Sequence, residues 1–226
     1  MNRTRWAAVT AVVLALLVAG ATTFASARGG SSDTPSVTSA DAGFARDMAV
    51  HHQQAVEMSF IVRDRTQDEA VRRLAYDIAN TQANQRGMLL GWLDLWGLPK
   101  AYPAAEPMAW MAGGDGGGAG HDMEGMDGMA DMPGMEHVKP GGALMPGMAT
   151  AAQLDRLRKA SGKAAEVLYL QLMTDHHKGG VAMAKGCARL CRTGVEKDLA
   201  AGMVAAQQSE LELMADMLKE RGAPAA

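Results

Sequence analysis

The sequence predicts an all-α protein, a four-helix bundle made of two duplicated helical hairpins joined by one long crossover. Three observations carry this. First, Asp47-Met48-Ala49-Val50-His51-His52-Gln53-Gln54-Ala55-Val56-Glu57-Met58 returns as Leu172-Met173-Thr174-Asp175-His176-His177-Lys178-Gly179-Gly180-Val181-Ala182-Met183, 125 positions later. The same offset pairs Asp41 with Glu166, Phe44 with Tyr169, Leu74 with Leu199, Gln82 with Gln207, Gln85 with Glu210 and Leu93 with Leu218. A fixed internal period of this kind is one structural unit used twice. Second, apolar residues around both copies recur at spacings of three and four, the helical period. Third, only 4% of residues are aromatic while there are 18 Met, so the core is built from Ala, Leu, Val and Met, which suits helices better than sheets.

With 226 residues and 48% hydrophobic content, one or two small domains can bury a real core. The net charge of −3 carries no basic excess, so nucleic acid is not expected as a partner. Arg3 and Arg5 precede an uncharged run from Trp6 to Ala27 that ends Ala25-Ser26-Ala27. This reads as a secretory signal over residues 1–27, cleaved after Ala27; left uncut, it is long enough to serve as a membrane anchor. Either way the body is expected to be exported, to the cell envelope or beyond, with membrane contact only through a retained N-terminal segment. Homo-oligomerisation is left open.

Residues 28–40 are small and polar and read as a flexible leader. Phe44, Met48, His51, Ala55, Met58 and Val62 then mark a first helix to about Arg65. Thr66-Gln67-Asp68-Glu69 has the form of a capping box opening a second helix, which runs through Leu74, Ile78, Leu89 and Trp92 and stops at Gly97-Leu98-Pro99. The first hairpin is thus 41–96. Residues 97–149 hold half of the glycines, six of the eight prolines and half of the methionines, a composition that reads as a disordered linker. Helical pattern resumes at 151–159, breaks at Ser161-Gly162, and continues from Lys163 to about Cys191. Thr193-Gly194-Val195-Glu196 resembles a second capping box, and the last helix carries Leu199, Met203, Met214 and Leu218 before Gly222. Two hairpins, 41–96 and 150–222, with one long crossover give a ferritin-like connectivity.

At 100° per residue both histidines of each copy border the apolar stripe of their helix. Folding each hairpin about its turn sets His52 level with Gln82, and His176 and His177 level with Gln207 to Glu210. Polar side chains in a core must be satisfied by mutual hydrogen bonds, water or a metal. The candidate metal ligands are therefore His51, His52, Met48 and Met58 in the first hairpin, and His176, His177, Met173, Met183 and Glu210 in the second. Neutral imidazole together with thioether favours copper, as Cu(I) or Cu(II), while imidazole alone also accepts zinc or another transition metal. Asp41 and Glu166 lie ten residues before their His pairs, about 15 Å along a helix, too far to share that metal. Cys187 and Cys191 fall on the His face; four apart on a helix, they form a disulfide only if the last turn is distorted, and reduced they make a soft-metal pair.

Between the hairpins, Met123, Met126, Met129, Met132 and Met135 are spaced by three and bracketed by His121 and His137. Gly and Pro forbid a stable helix there, so packing does not explain the spacing. The tract reads as a string of thioethers for Cu(I), with His and acids adding capacity for Cu(II); a plain linker or an oxidant sink are its other readings.

The pattern Asp41-x2-Phe44-x2-Asp47-Met48-x2-His51-His52-x2-Ala55-Val56-x-Met58, with its second copy at Met173-x2-His176-His177-x2-Gly180-Val181-x-Met183, resembles the bacterial family known as domain of unknown function 305. The resemblance covers residues 41–96 and 150–220. It implies a ferritin-like fold, export and metal handling, since that family includes a periplasmic copper-binding protein. Gln85 stands where the family often has Glu, and the Met-rich insert is foreign to the family pattern. The combined reading is an exported copper-binding protein for sequestration or tolerance in the envelope, not an enzyme, with no catalytic residues named. A ferritin-like oxidase, which needs several inward carboxylates where this layer offers Glu210 alone, and a metal-free structural bundle are the rival readings.

Overall fold

The computed structural model describes residues 34–112 and 142–224. The N-terminal segment read as a signal and the tract with Met123, Met126, Met129, Met132, Met135, His121 and His137 lie outside the described residues. Five α-helices and one short 3₁₀ turn make up the described regular structure, without strands. We number them α1 (Ala40–Arg63), α2 (Glu69–Leu95), α3 (Ala151–Lys159), α4 (Gly162–Leu190) and α5 (Gly194–Glu220). α1 packs on α2, α4 packs on α5, and the hairpins meet along α1 and α4. No helix among the described residues is long and apolar enough to cross a membrane.

The helix ends follow local chemistry, though not always the chemistry the sequence suggests. Ser39 caps α1 by accepting from the Ala42 N–H at 3.2 Å. α2 is capped by Asp68, which accepts from the Val71 N–H at 2.9 Å, and not by Thr66. Thr66 instead turns its hydroxyl to Glu166 Oε1 at 2.6 Å. The capping box is found at Thr150 and Gln153 on α3, while Thr193 makes no side-chain cap on α5. Gly97 ends α2 at φ +66°, where the Leu98 N–H reaches back to Leu93 O at 2.8 Å.

The acids ten residues before the histidines tie the two hairpins to each other at opposite ends. Asp41 on α1 accepts from the N–H groups of Arg192 and Thr193 in the α4–α5 turn, at 3.0 and 2.7 Å. Its counterpart Glu166 on α4 accepts from Thr66 in the α1–α2 turn and from Arg221 Nε at 2.8 Å. Each acid thus serves the turn of the other copy, a structural role that leaves neither for the histidine layer.

Both described ends of the 97–149 segment pack on the bundle. Asp47 Oδ2 accepts from the Met108 N–H at 2.7 Å and from Trp110 Nε1 at 2.9 Å. Trp110 meets Phe44 edge-on, 5.6 Å between centroids, and lies so close to Gly43 that a Cβ there would stand 2.5 Å from Trp110 Cβ. Arg46 holds Pro99 O and Val37 O, both at 2.8 Å. At the other end Gln54 bonds both backbone groups of Ala149, donating to O at 2.9 Å and accepting from N. Burying Trp110, Met111 and Met145 is what holds these low-complexity ends in place.

Candidate metal centre

The core divides into two apolar halves, and the histidines lie between them. Met58 and Met173 belong to one half with Leu74 and Met214; Met48 and Met183 belong to the other with Phe44 and Met203. Since Met48 shares a half with Met183, and Met58 with Met173, α1 and α4 run antiparallel. His51, His52, His176 and His177 sit between those methionines on their helices, and all eight side chains are fully buried.

The two copies meet ring to ring. His51 and His176 stack with centroids 3.7 Å apart and planes tilted by 33°. Neighbouring imidazoles on each helix, His51 with His52 and His176 with His177, have centroids 6.5 and 6.3 Å apart.

Hydrogen bonds fix the tautomer of three rings. His176 Nε2 lies 2.9 Å from His51 O, and His51 Nε2 lies 3.3 Å from Pro146 O. A carbonyl only accepts, so both Nε2 atoms carry the proton and donate. His177 Nε2 donates to Glu210 Oε2 at 2.7 Å. In a neutral ring that donates from Nε2, Nδ1 is a bare lone pair, and the Nδ1 atoms of all four histidines are buried without a partner. An imidazole whose outer N–H is tied to a carbonyl or carboxylate while the other nitrogen stays free is the arrangement that metal-binding histidines adopt. His52 is the exception, with neither ring nitrogen in a well-formed hydrogen bond. Both amide atoms of Gln82 and Oε1 of Gln207 are likewise unpartnered.

Burial keeps three of the four rings neutral. It drives His51 down from 6.5 to about 3, with the Pro146 carbonyl opposing and His177 adding to the fall. His52 is also lowered to about 3, first by burial and then by His51, with Gln85 opposing. His176 lies well below its ordinary value through burial and its neighbours His51 and His177. These imidazoles are therefore unprotonated across the physiological range, as ligation requires.

A strap over residues 145–149 covers the layer. Gly147, at φ +77°, packs against Asp175 so closely that a Cβ would lie 2.3 Å from Asp175 O, and a Cβ on Gly179 would lie 2.0 Å from Pro146 O. Pro146 and Gln54 escape sequence reasoning; the one signal for them is Gln54 itself, a polar residue adjoining the apolar stripe. Glu210 is one-quarter exposed, at the edge of the layer. Gln85 stands beside His52 as Glu210 stands beside His177, so the duplication extends to the layer's rim.

Not every expected ligand converges. No three His or acidic side chains of this layer bring donor atoms within 4.8 Å of one another; among the described residues, the group that does is Cys187, Cys191 and Glu196. Cys187 and Cys191 are joined as a disulfide, and α4 stops at Leu190 so that Cys191 leaves the helix at ψ 149°. This is the distorted last turn that the spacing demands.

The chain is a duplicated helical bundle with a buried histidine layer between two methionine-containing halves of the core. The chain belongs to the DUF305 family, a domain of unknown function, whose model matches residues 41–218. It is similar to a DUF305 protein of Streptomyces coelicolor whose name presumes secretion, with 57% identity and a TM-score of 0.69 over 84% of this chain and 99% of that one. A DUF305 fragment from Deinococcus radiodurans matches with 26% identity and a TM-score of 0.58 over 80% and 96% of the two chains. CopM in its Cu(I)-bound form shares the fold at 16% identity and a TM-score of 0.54, over 80% of this chain and 96% of CopM. No curated protein matches the chain.

Proposed function

We propose that this protein is an exported copper-binding protein that sequesters or buffers the metal in the cell envelope. The observation that carries the reading is the set of buried, unpartnered Nδ1 atoms, three of them on rings oriented by a hydrogen bond to a carbonyl or carboxylate. Leaving such groups without partners costs free energy that a bound ion returns. Met48, Met58, Met173 and Met183, one to two turns away on the same helices, supply the soft donors that select copper over harder ions. Since three imidazoles do not converge, the ion takes two of them and completes its shell from thioether or from Gln82 and Gln207. Glu210 acts through His177 as its hydrogen-bond acceptor.

CopM has been seen with Cu(I) and with Cu(II), which supports copper as the cargo here. The thioethers at Met123, Met126, Met129, Met132 and Met135, with His121 and His137, form a second store, a reading supported by their regular spacing in the sequence. The name of the Streptomyces relative supports export, as does the signal-like N-terminus. A di-iron oxidase is disfavoured because the layer holds one carboxylate, Glu210. Metal analysis of the protein recovered from its native envelope after growth in copper tests the reading: copper at one or more equivalents is expected. Iron, or no metal, overturns it.

A further inference from the structure

The turn between α4 and α5 holds a second cluster that the histidine layer does not use. Cys187, Cys191 and Glu196 bring Sγ, Sγ and a carboxylate oxygen within 4.8 Å of one another. Cys187 and Glu196 have no exposure to solvent, and Cys191 is 3% exposed. They border the apolar half that contains Ala42, Phe44 and Ala200.

Glu196 is the residue that packing does not explain. It occupies the third position of α5, where a capping box would turn it back to the helix start, yet it points into the protein. Neither of its carboxylate oxygens receives a hydrogen bond. Its other neighbour, Asp41, is already engaged by the N–H groups of Arg192 and Thr193. Burial and then Asp41 push Glu196 up to about 9, so at neutral pH it is an uncharged acid. A Leu at this site would fill the space without those costs, whereas a carboxyl beside two sulfurs completes a donor set.

We propose that reduction of the Cys187–Cys191 disulfide opens a metal site in which both thiolates and the Glu196 carboxylate bind one Zn²⁺-type ion. A dithiol reductant transfers two electrons and two protons: its own sulfurs become a disulfide, the Cys187–Cys191 bond breaks, and two thiols form. The ion then displaces the two thiol protons and the Glu196 proton, giving an S₂O set with its fourth position open to water. Thiolate plus carboxylate suits a borderline divalent ion, while Cu(I) is satisfied by sulfur alone. In the disulfide form the sulfurs bond each other and the site is closed. Metal binding at this end of the bundle is gated by thiol redox state and is independent of the histidines at its middle.

The test uses the full exported chain, reduced with a water-soluble phosphine that is removed under anaerobic conditions, beside the oxidised chain. Both are titrated with Co²⁺ and with Zn²⁺ against a chromophoric chelator. The reduced form is expected to take one equivalent more than the oxidised form, with a thiolate-to-cobalt charge-transfer band. Glu196→Gln is expected to keep that band and lose at least tenfold in affinity. Equal stoichiometry in the two redox forms, or an extra equivalent without the band, overturns the site; an unchanged affinity in Glu196→Gln overturns the role of the carboxyl. Circular dichroism of the reduced chain provides the fold check, and loss of the helical signal on reduction also overturns the proposal, which requires thiols held in the native turn.

Discussion

His176 donates its Nε2 proton to the backbone carbonyl of His51, 2.9 Å away, and stacks its ring 3.7 Å from the ring of the same residue. The partners are equivalent positions of a duplicated unit, so the two hairpins meet through their matching histidines. A packed apolar contact would serve better if stability were the only demand on this position.

The metal-free protein should lose stability as pH falls from 6.5 toward 3. His51 and His52 titrate near 3 when folded and near 6.5 when unfolded, so in that window the unfolded chain binds more protons than the native one. Stability from these rings is complete above 6.5 and declines with acid by about 1.4 kcal/mol per pH unit for each. Urea unfolding at pH 7, 6, 5 and 4 measures it, and His52→Gln should shallow the slope by one proton. Slopes that coincide in the two proteins would place the acid sensitivity elsewhere.

Glu196 should act in the opposite direction on the alkaline side. Raised to about 9 in the fold from an ordinary 4.5, it binds a proton that the unfolded chain has released, so its contribution is present below 4.5 and is lost as pH rises toward 9. Glu196→Gln, which cannot ionise, should flatten the decline in unfolding free energy between pH 6 and 9. A parallel decline in the variant would remove this carboxyl from the account.

The strap can be displaced by one methyl group. Gly179→Ala raises helix propensity by about 1 kcal/mol, but its Cβ would collide with Pro146 O, a backbone atom that cannot swing aside. We expect a net loss of about 1–3 kcal/mol and weaker copper binding. Gly180→Ala meets the movable end of Gln207 and should cost less, while Gly202→Ala meets nothing within 4 Å and should stabilise the chain by about 1 kcal/mol. Thermal unfolding of the three variants gives the order, and a stabilised Gly179→Ala would mean that the strap yields.

Glu210 and Gln85 offer a test in both directions. Glu210→Gln weakens the acceptor that orients His177, and Gln85→Glu supplies the equivalent acceptor for His52. We expect Cu(II) affinity to fall about tenfold in the first and to rise in the second, as changes behind metal-bound histidines do. Chelator competition at pH 7 reads both; equal affinities throughout would detach the rim from the site.

Much of this was legible because duplication writes itself into sequence. The His pairs, their Met neighbours and the Gln-x2-Gln and Gln-x2-Glu partners share one offset, and the helical period places them on inward faces. Hairpin folding about the turns puts Glu210 near His177, as found. What stayed hidden depends on long-range contacts with no period of their own. Pro146 and Ala149 lie in a stretch whose composition reads as linker, yet Gln54 and Gly179 secure it; Trp110, one large aromatic among glycines, was the available hint. Thr66 caps no helix; its hydroxyl accepts from the Asp68 N–H at 3.0 Å and donates to Glu166, a hundred residues away.

Whether the buried histidine layer holds copper is decided by Cu(I) titration against a competing chelator at pH 7. The parent chain is compared with a His51→Gln/His176→Gln variant and with a variant carrying Leu at Met123, Met126, Met129, Met132 and Met135. Loss of the tightest equivalent in the histidine variant, with helical content kept, is the result the account predicts; the methionine variant should keep that equivalent and lose the weaker ones. A tightest equivalent that survives in the histidine variant and vanishes with the tract methionines would contradict it.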